Sequence, residues 1–269
     1  MSAQHNSDLV DAIGVEHKVI DHDSSPRIVC LVPSITELLF ELGLGKWMVG
    51  RTGFCIHPKQ LVQTVTKVGG TKDVNVDKIR KLAPTHLIAN IDENEKPTVE
   101  QLAQFIPNIV VTHPNHPRDN IALYRLLGKI FRVEQVAENL CQQLFLKLAQ
   151  FDQSRSTSQK TVLYCIWKDP WMTVARDTYI AHMLALRGWQ HWVKNMDERR
   201  YPSFDWCDAN IDQVDVVLLS TEPFSFNQQH ADDLQRELRK PVILVDGEML
   251  SWYGSRAIMG LDYLFKLDI

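Results

Sequence analysis

The chain has no cysteine pair at redox or metal-ribbon spacing. Its five cysteines, Cys30, Cys55, Cys141, Cys165 and Cys207, are odd in number and widely scattered. That pattern argues against a disulfide framework and fits a reducing compartment. No apolar run is long enough to span a bilayer. The opening stretch "MSAQHNSDLVDAIGVEHKVIDHDSSP" lacks a basic segment followed by an apolar one, so it does not read as a secretory leader. The expectation is a cytoplasmic protein, or a periplasmic one whose leader was removed before this numbering begins. Charge of one sign is also missing: 29 Lys and Arg stand against 33 Asp and Glu, a formal net charge of -4, with no block of like charge. Nucleic acid is therefore not expected as a partner. There is no G-x-S-x-G elbow and no G-x-x-x-x-G-K-S/T loop.

What the chain does have is alternation. "RIVCLV", residues 27 to 32, is an apolar, β-branched run, and "ITELLFELGLG" after it has helical spacing. Ser34, followed three residues later by Glu37, reads as a capping box, and Gly43 or Gly45 as the stop. Strand-like runs recur in "WMVGRT", "THLIAN" and "FIPNIVVTHP", with helical stretches between them. From Arg118 to about Gln153 there is no proline and one glycine, which predicts one long helix or two nearly continuous ones. The polar stretch "DQSRSTSQK" ends it, and alternation resumes with "TVLYCIW", "WMTVA", "TYIAHMLALRG", "VDVVLLS", "QHADDLQRELR", "PVILVD" and "SRAIMGLDYLF". The pattern predicts an α/β protein of two parallel-sheet lobes, residues 1–116 and 155–269, joined by a backbone helix over 117–154.

The unusual residues gather just past the strand ends, where open α/β sheets bind ligands. Aromatics recur there in "IWKDPW", "YPSFDW", "EPFSF" and "SWYG". Each ring offers wide contact area at little rotamer cost, so such a set suits a large, partly apolar ligand, although any one ring could equally pack its own loop. "GFCIHP" holds Cys55 and His57, residue types that bind zinc and related metals; the same pair also reads as a buried thiol beside a proline-turn histidine. His113 and His116 in "THPNHP" read as an exposed turn. "KVGGTKD" leads into Asn75 as a helix cap, and Asp92 with Glu93 reads as a solvated loop face.

"RIVCLVPSITELLFELGLGKWMVGRTGFCIHP", "KVGGTKDVNVDKIRKLAPTHLIAN", the long helical stretch and "LVDGEMLSWYGSRA" together resemble the cobalamin-type members of the helical-backbone substrate-binding proteins of ABC importers. "DAIGVEHKVI" resembles that family's opening hairpin. The resemblance implies a monomer, with no required cofactor and no catalysis, that holds heme, ferric siderophore, cobalamin or a metal ion between two lobes and hands it to a membrane permease. It implies that Phe54 is a cleft aromatic, that Trp252, Tyr253 and Gly254 form the C-terminal ligand loop, and that Trp171 and Phe204 line the same groove. The sequence departs from the family pattern in two places. Asp77 and the neighbourhood of Cys207 and Asp208 stand where permease-docking glutamates are usual, and Cys55 and His57 stand where other side chains are usual. Three expectations follow: a corrinoid or other metal-chelate binder, a metal-ion receptor using Cys55 and His57, or a cytoplasmic protein of this fold repurposed for cofactor handling or catalysis.

Overall fold

The structure, a computed structural model, describes residues 7–153, 159–193, 199–207 and 211–269. The chain divides into two units. The first comprises Met1–Pro114, Asp119–Gln143 and Tyr253–Ser255; the second comprises Asn115–Arg118, Leu144–Trp252 and Arg256–Ile269.

Unit one is built on five parallel strands: β1 (Ile28–Cys30), β2 (Met48–Arg51), β3 (Thr66–Lys67), β4 (His86–Asn90) and β5 (Asn108–Thr112). Their order is β3-β2-β1-β4-β5. Strands β1 and β4 are buried along their whole length, as the unbroken apolar run in "RIVCLV" requires of a strand covered on both faces. Val29, Leu31, Val68, Ile79, Leu87, Leu102 and Ile106 form the core on one side of the sheet.

The helices of unit one are α1 (Pro33–Glu41), α2 (Val76–Lys81), α3 (Lys96–Ala103), α4 (Asn120–Ile130) and the first half of α5 (Glu134–Gln153). Helix α1 starts one residue before the expected cap. Pro33 takes the first helical position, the cap is Val32 without a side-chain bond, and Ser34 lies inside the first turn; a ring with fixed φ and no N–H suits that position better than a capping serine does. The stop at Gly43 is as expected: φ is +76°, and Gly43 and Leu44 donate to the carbonyls of Phe40 and Leu39 in a Schellman arrangement. Asn75 caps α2 by accepting from the Lys78 N–H at 2.8 Å.

The proline-free stretch is two helices. Arg132 adopts a left-handed φ of +56°, and Val133 donates to Gly128 at 2.8 Å, closing α4 before α5 begins. The chain passes from unit one to unit two within α5.

Unit two contains β6 (Thr161–Trp167), β7 (Met172–Thr173), β8 (Gln190–His191), β9 (Val216–Ser220) and β10 (Val242–Val245). The order is β10-β9-β6-β7, with β8 beside the start of β6; β7 is antiparallel and the rest parallel. Its remaining helices are α6 (Tyr179–Ala185), α7 (Gln228–Leu238), α8 (Gly247–Ser251) and α9 (Arg256–Lys266). Among the described residues no helix is long and apolar enough to cross a membrane.

Candidate functional site

In an open α/β sheet, ligands bind outside the carboxyl ends of the strands where the strand order reverses. In unit one that point lies between β1 and β4; in unit two it lies between β6 and β9. The aromatic loops after β6 and β9 stand at the second of these places, and Phe54 follows β2, next to β1.

Past β2, the buried Arg51 side chain acts as a spool for the following loop. Its Nε donates to the Val62 carbonyl at 2.8 Å, and Nη1 donates to the carbonyls of Thr52 and Cys55 at 3.0 and 3.1 Å. With both flanks pinned, Phe54 projects outward, 62% exposed. A neighbouring turn carries Gly69 at φ +113°, a conformation that side chains other than glycine's rarely adopt, and the Phe54 ring lies against Gly70.

Cys55 points the other way. Its thiol is buried, accepts from the Thr36 hydroxyl at 3.2 Å and lies 3.1 Å from the Thr52 hydroxyl. Burial pushes its pKa up against those bonds, which disfavours the thiolate that a metal would need. His57 precedes a cis proline, Pro58. Among the described residues no cluster of three or more His, Cys, Asp or Glu side chains could hold a metal ion. His113 pairs with Asp92 at 3.3 Å and is partly buried, and the His116 ring lies 5.0 Å from that of His182.

Beyond β4, Asn90 and Asn94 shape a tight turn. Asn90 Oδ1 accepts from the Asp92 N–H at 2.8 Å, and Asn94 Oδ1 accepts from the Asn90 N–H at 2.9 Å. The turn aims Glu93 at Tyr253, whose hydroxyl donates to Oε1. Glu93, expected on a solvated face, is thus covered by a residue 160 positions away.

Gly254 is equally tied. Its N–H donates to Asn120 Oδ1 at 2.6 Å, and its carbonyl accepts from the buried Tyr124 hydroxyl at 2.8 Å. Its φ is +77°, and a Cβ there would stand 3.0 Å from the Ser34 carbonyl oxygen.

In unit two, Trp171 stacks on Phe226, with centroids 5.7 Å apart and planes 8° from parallel, and meets Trp206 edge-on at 5.0 Å. Trp206 in turn meets Phe204 at 5.1 Å. Backbone bonds hold the segment: Phe204 donates to the Trp171 carbonyl at 3.0 Å, and Thr173 to that of Pro202 at 3.0 Å. Phe204 is buried in the core of the unit, while Trp167 and Tyr201 are each 39% exposed. Trp252 is largely buried; its Nε1 donates to Glu222 at 3.1 Å, and the Arg256 guanidinium lies 5.0 Å from its ring centre.

Trp167, Tyr201, Trp206 and Phe226 were legible only as members of aromatic loops. The contact of Trp206 with Trp171 depends on the pairing of β7 with the 201–206 segment, which no local pattern encodes. Asp77 is exposed on the first turn of α2 and Cys207 is an exposed free thiol, whereas Asp208 lies outside the described residues.

Comparison with known proteins decides the family: the model described as "Periplasmic binding protein" matches residues 28–239. The chain belongs to the periplasmic binding protein family. Among curated members, a Bacillus subtilis protein described as an uncharacterized ABC transporter substrate-binding lipoprotein is 28% identical over 188 residues. That match takes in 64% of this chain and 59% of the relative, so the aligned part spans under two thirds of that protein. A vitamin B12-binding protein of Pectobacterium carotovorum is 22% identical over 247 residues, covering 87% of this chain and 84% of the relative. The crystal structure of the periplasmic vitamin B12 binding protein of Vibrio cholerae shares the fold with a TM-score of 0.75 and 19% identity, covering 89% of this chain and 94% of that one.

Proposed function

We propose that the protein is a non-catalytic receptor for a corrinoid or a metal chelate of similar breadth, working outside the cytoplasm as the soluble component of an ABC importer. The observation that carries this reading is the 247-residue match to a vitamin B12-binding protein. The aromatic loops past the strand ends support it: broad rings with exposed surface suit a macrocycle and supply contact area without long, flexible side chains to immobilise. The proposed contacts are Phe54, Tyr253 and Gly254 in unit one and Trp171 and Trp252 in unit two; Phe204, in the core of unit two, supports Trp171 from behind through its backbone N–H. No acid, base or nucleophile is part of the proposal.

Calorimetric titration of the ligand-free protein with cyanocobalamin, hemin and zinc chloride tests it. Saturable, one-to-one corrinoid binding is expected, weakened about tenfold or more in Phe54→Ala, because truncating a ring that anchors a ligand costs about 1–2 kcal/mol. Phe54 is exposed, so that variant leaves the fold intact. Hemin binding alone would change the chelate class to a porphyrin. Zinc binding alone, abolished in Cys55→Ser, would replace this proposal with a metal-ion receptor.

A further inference from the structure

Residues Tyr253–Ser255 belong to unit one although the chain on both sides of them belongs to unit two. Among the described contacts, three bonds to unit one help to seat this short segment. Two run between neutral groups, from Tyr124 to the Gly254 carbonyl and from the Gly254 N–H to Asn120. The third runs from the Tyr253 hydroxyl to Glu93. Of the three, only the last includes a group that ionises in the neutral range.

The surroundings of Glu93 offer its charged form little. No cation among the described residues pairs with it. On its own turn stands Asp92, a second carboxylate whose partner is His113 from the segment after β5. From β1 comes the Cys30 thiol, which burial keeps neutral and which offers Glu93 no counter-charge. From the seated segment comes only the Tyr253 hydroxyl, and the Ser34 side chain of α1 stands beside that hydroxyl.

We infer that Glu93 is a positioning residue, which couples the seating of Tyr253–Ser255 on unit one, and with it the presentation of the proposed ligand loop, to proton concentration. The inference deepens the proposed function and rests on it for the role of that loop.

The direction follows from proton affinity. Burial pushes the Glu93 carboxyl up from 4.5 to about 7; the Tyr253 hydroxyl opposes the shift and Asp92 adds to it. Released from Tyr253, the carboxyl is solvated and reverts toward 4.5. The seated form therefore holds the proton more tightly, so seating is strongest below about pH 4.5. It weakens as pH rises to about 7 and is level above that. Across that window the seating equilibrium changes by up to roughly two orders of magnitude.

Hydrogen exchange of the peptide spanning 253–255, read as protection factors in the ligand-free full chain between pH 5 and 8, tests the inference directly. Protection is expected to fall tenfold or more with rising pH in the wild type and to stay level in Glu93→Gln. In Tyr253→Phe, which keeps the ring and loses the opposing bond, the transition is expected at higher pH. Level protection in the wild type, an unchanged profile in Glu93→Gln, or a transition in Tyr253→Phe that does not move upward would overturn it. Cyanocobalamin titrations at the two pH extremes separate the two readings. A pH-dependent segment in a protein that binds neither cyanocobalamin nor hemin sinks the proposed function and leaves the coupling standing. Corrinoid binding with level protection does the reverse.

Discussion

Asp11 shows how much one side chain can organise. Its carboxylate accepts from the N–H groups of Ile13, Val15 and Val111 and pairs with His17 at 3.1 Å, with its own side chain fully buried. It closes the hairpin at Gly14 and fastens it to β5. Burial acts to raise its pKa, but the bonds from His17 and the three backbone donors outweigh it and hold the carboxyl below its ordinary 3.8. A carboxyl with a lowered pKa stabilises the fold above its unfolded value, and that contribution disappears as pH falls through the folded one. Asp11→Ala should cost about 1–3 kcal/mol in urea unfolding at pH 7, since three backbone donors, the Val111 N–H among them buried, lose their acceptor. The difference between variant and wild type should shrink as the pH is taken below 3.8. An equal difference at both pH values would mean that packing, not the charge, carries the effect. Nothing local in "DAIGVEHKVI" marks Asp11 as this centre, because Val111 lies 100 residues away. Glu93 escaped a local reading for the same reason, whereas Gly43 and Asn75 were legible because a cap involves only residues within a turn of it.

At the scale of elements, the longer strands of both sheets were readable from their apolar runs and most helices from their spacing, whereas β8, the two polar residues Gln190 and His191, was missed. Two helices over the proline-free stretch were one of the two expectations, but the position of the break was not legible, since Arg132 carries no sign of a left-handed conformation, which costs a non-glycine residue roughly 1–2 kcal/mol. Its reason lies in a close approach of the two helices. A Cβ on Gly128 would stand 2.6 Å from that of Ala137. Gly128→Ala, which would stabilise an isolated helix by about 1 kcal/mol, should instead destabilise this protein by about 1–3 kcal/mol through overpacking. Ala137→Gly added to it should recover part of that loss. Thermal unfolding of the two single variants and the double variant reads this, and additive effects would show that the approach is looser than described. Helix α8 was also missed: five residues capped by Asp246, whose side chain accepts from the Met249 N–H, are too few for spacing to register.

At the scale of the whole molecule, the two-lobed α/β plan was legible from alternation alone, but the membership of the lobes was not. The chain changes unit at 114/115, 118/119, 143/144, 252/253 and 255/256, so neither unit is a continuous stretch. Residues 1–143 made alone would lack Tyr253–Ser255, leaving Tyr124 and Asn120 without the partners that Gly254 supplies. Such a fragment should unfold at lower urea than the same residues in the full chain. Adding the fragment 144–269 should restore exchange protection around Ser34 and Glu93. A fragment as stable as its counterpart in the full chain would show that the segment contributes nothing to unit one.

That interleaving also bears on how the protein is made. A ribosome releases the chain from its amino end, so the first sheet and its helices emerge long before Tyr253. Until residues 253–255 have left the ribosome, the seat for Tyr253 is open and Glu93 lacks the cover that the Tyr253 hydroxyl supplies. The last step in completing unit one is then the arrival of three residues that follow Gln143 only after the intervening part of unit two, and with them comes the cover that favours the protonated Glu93 carboxyl.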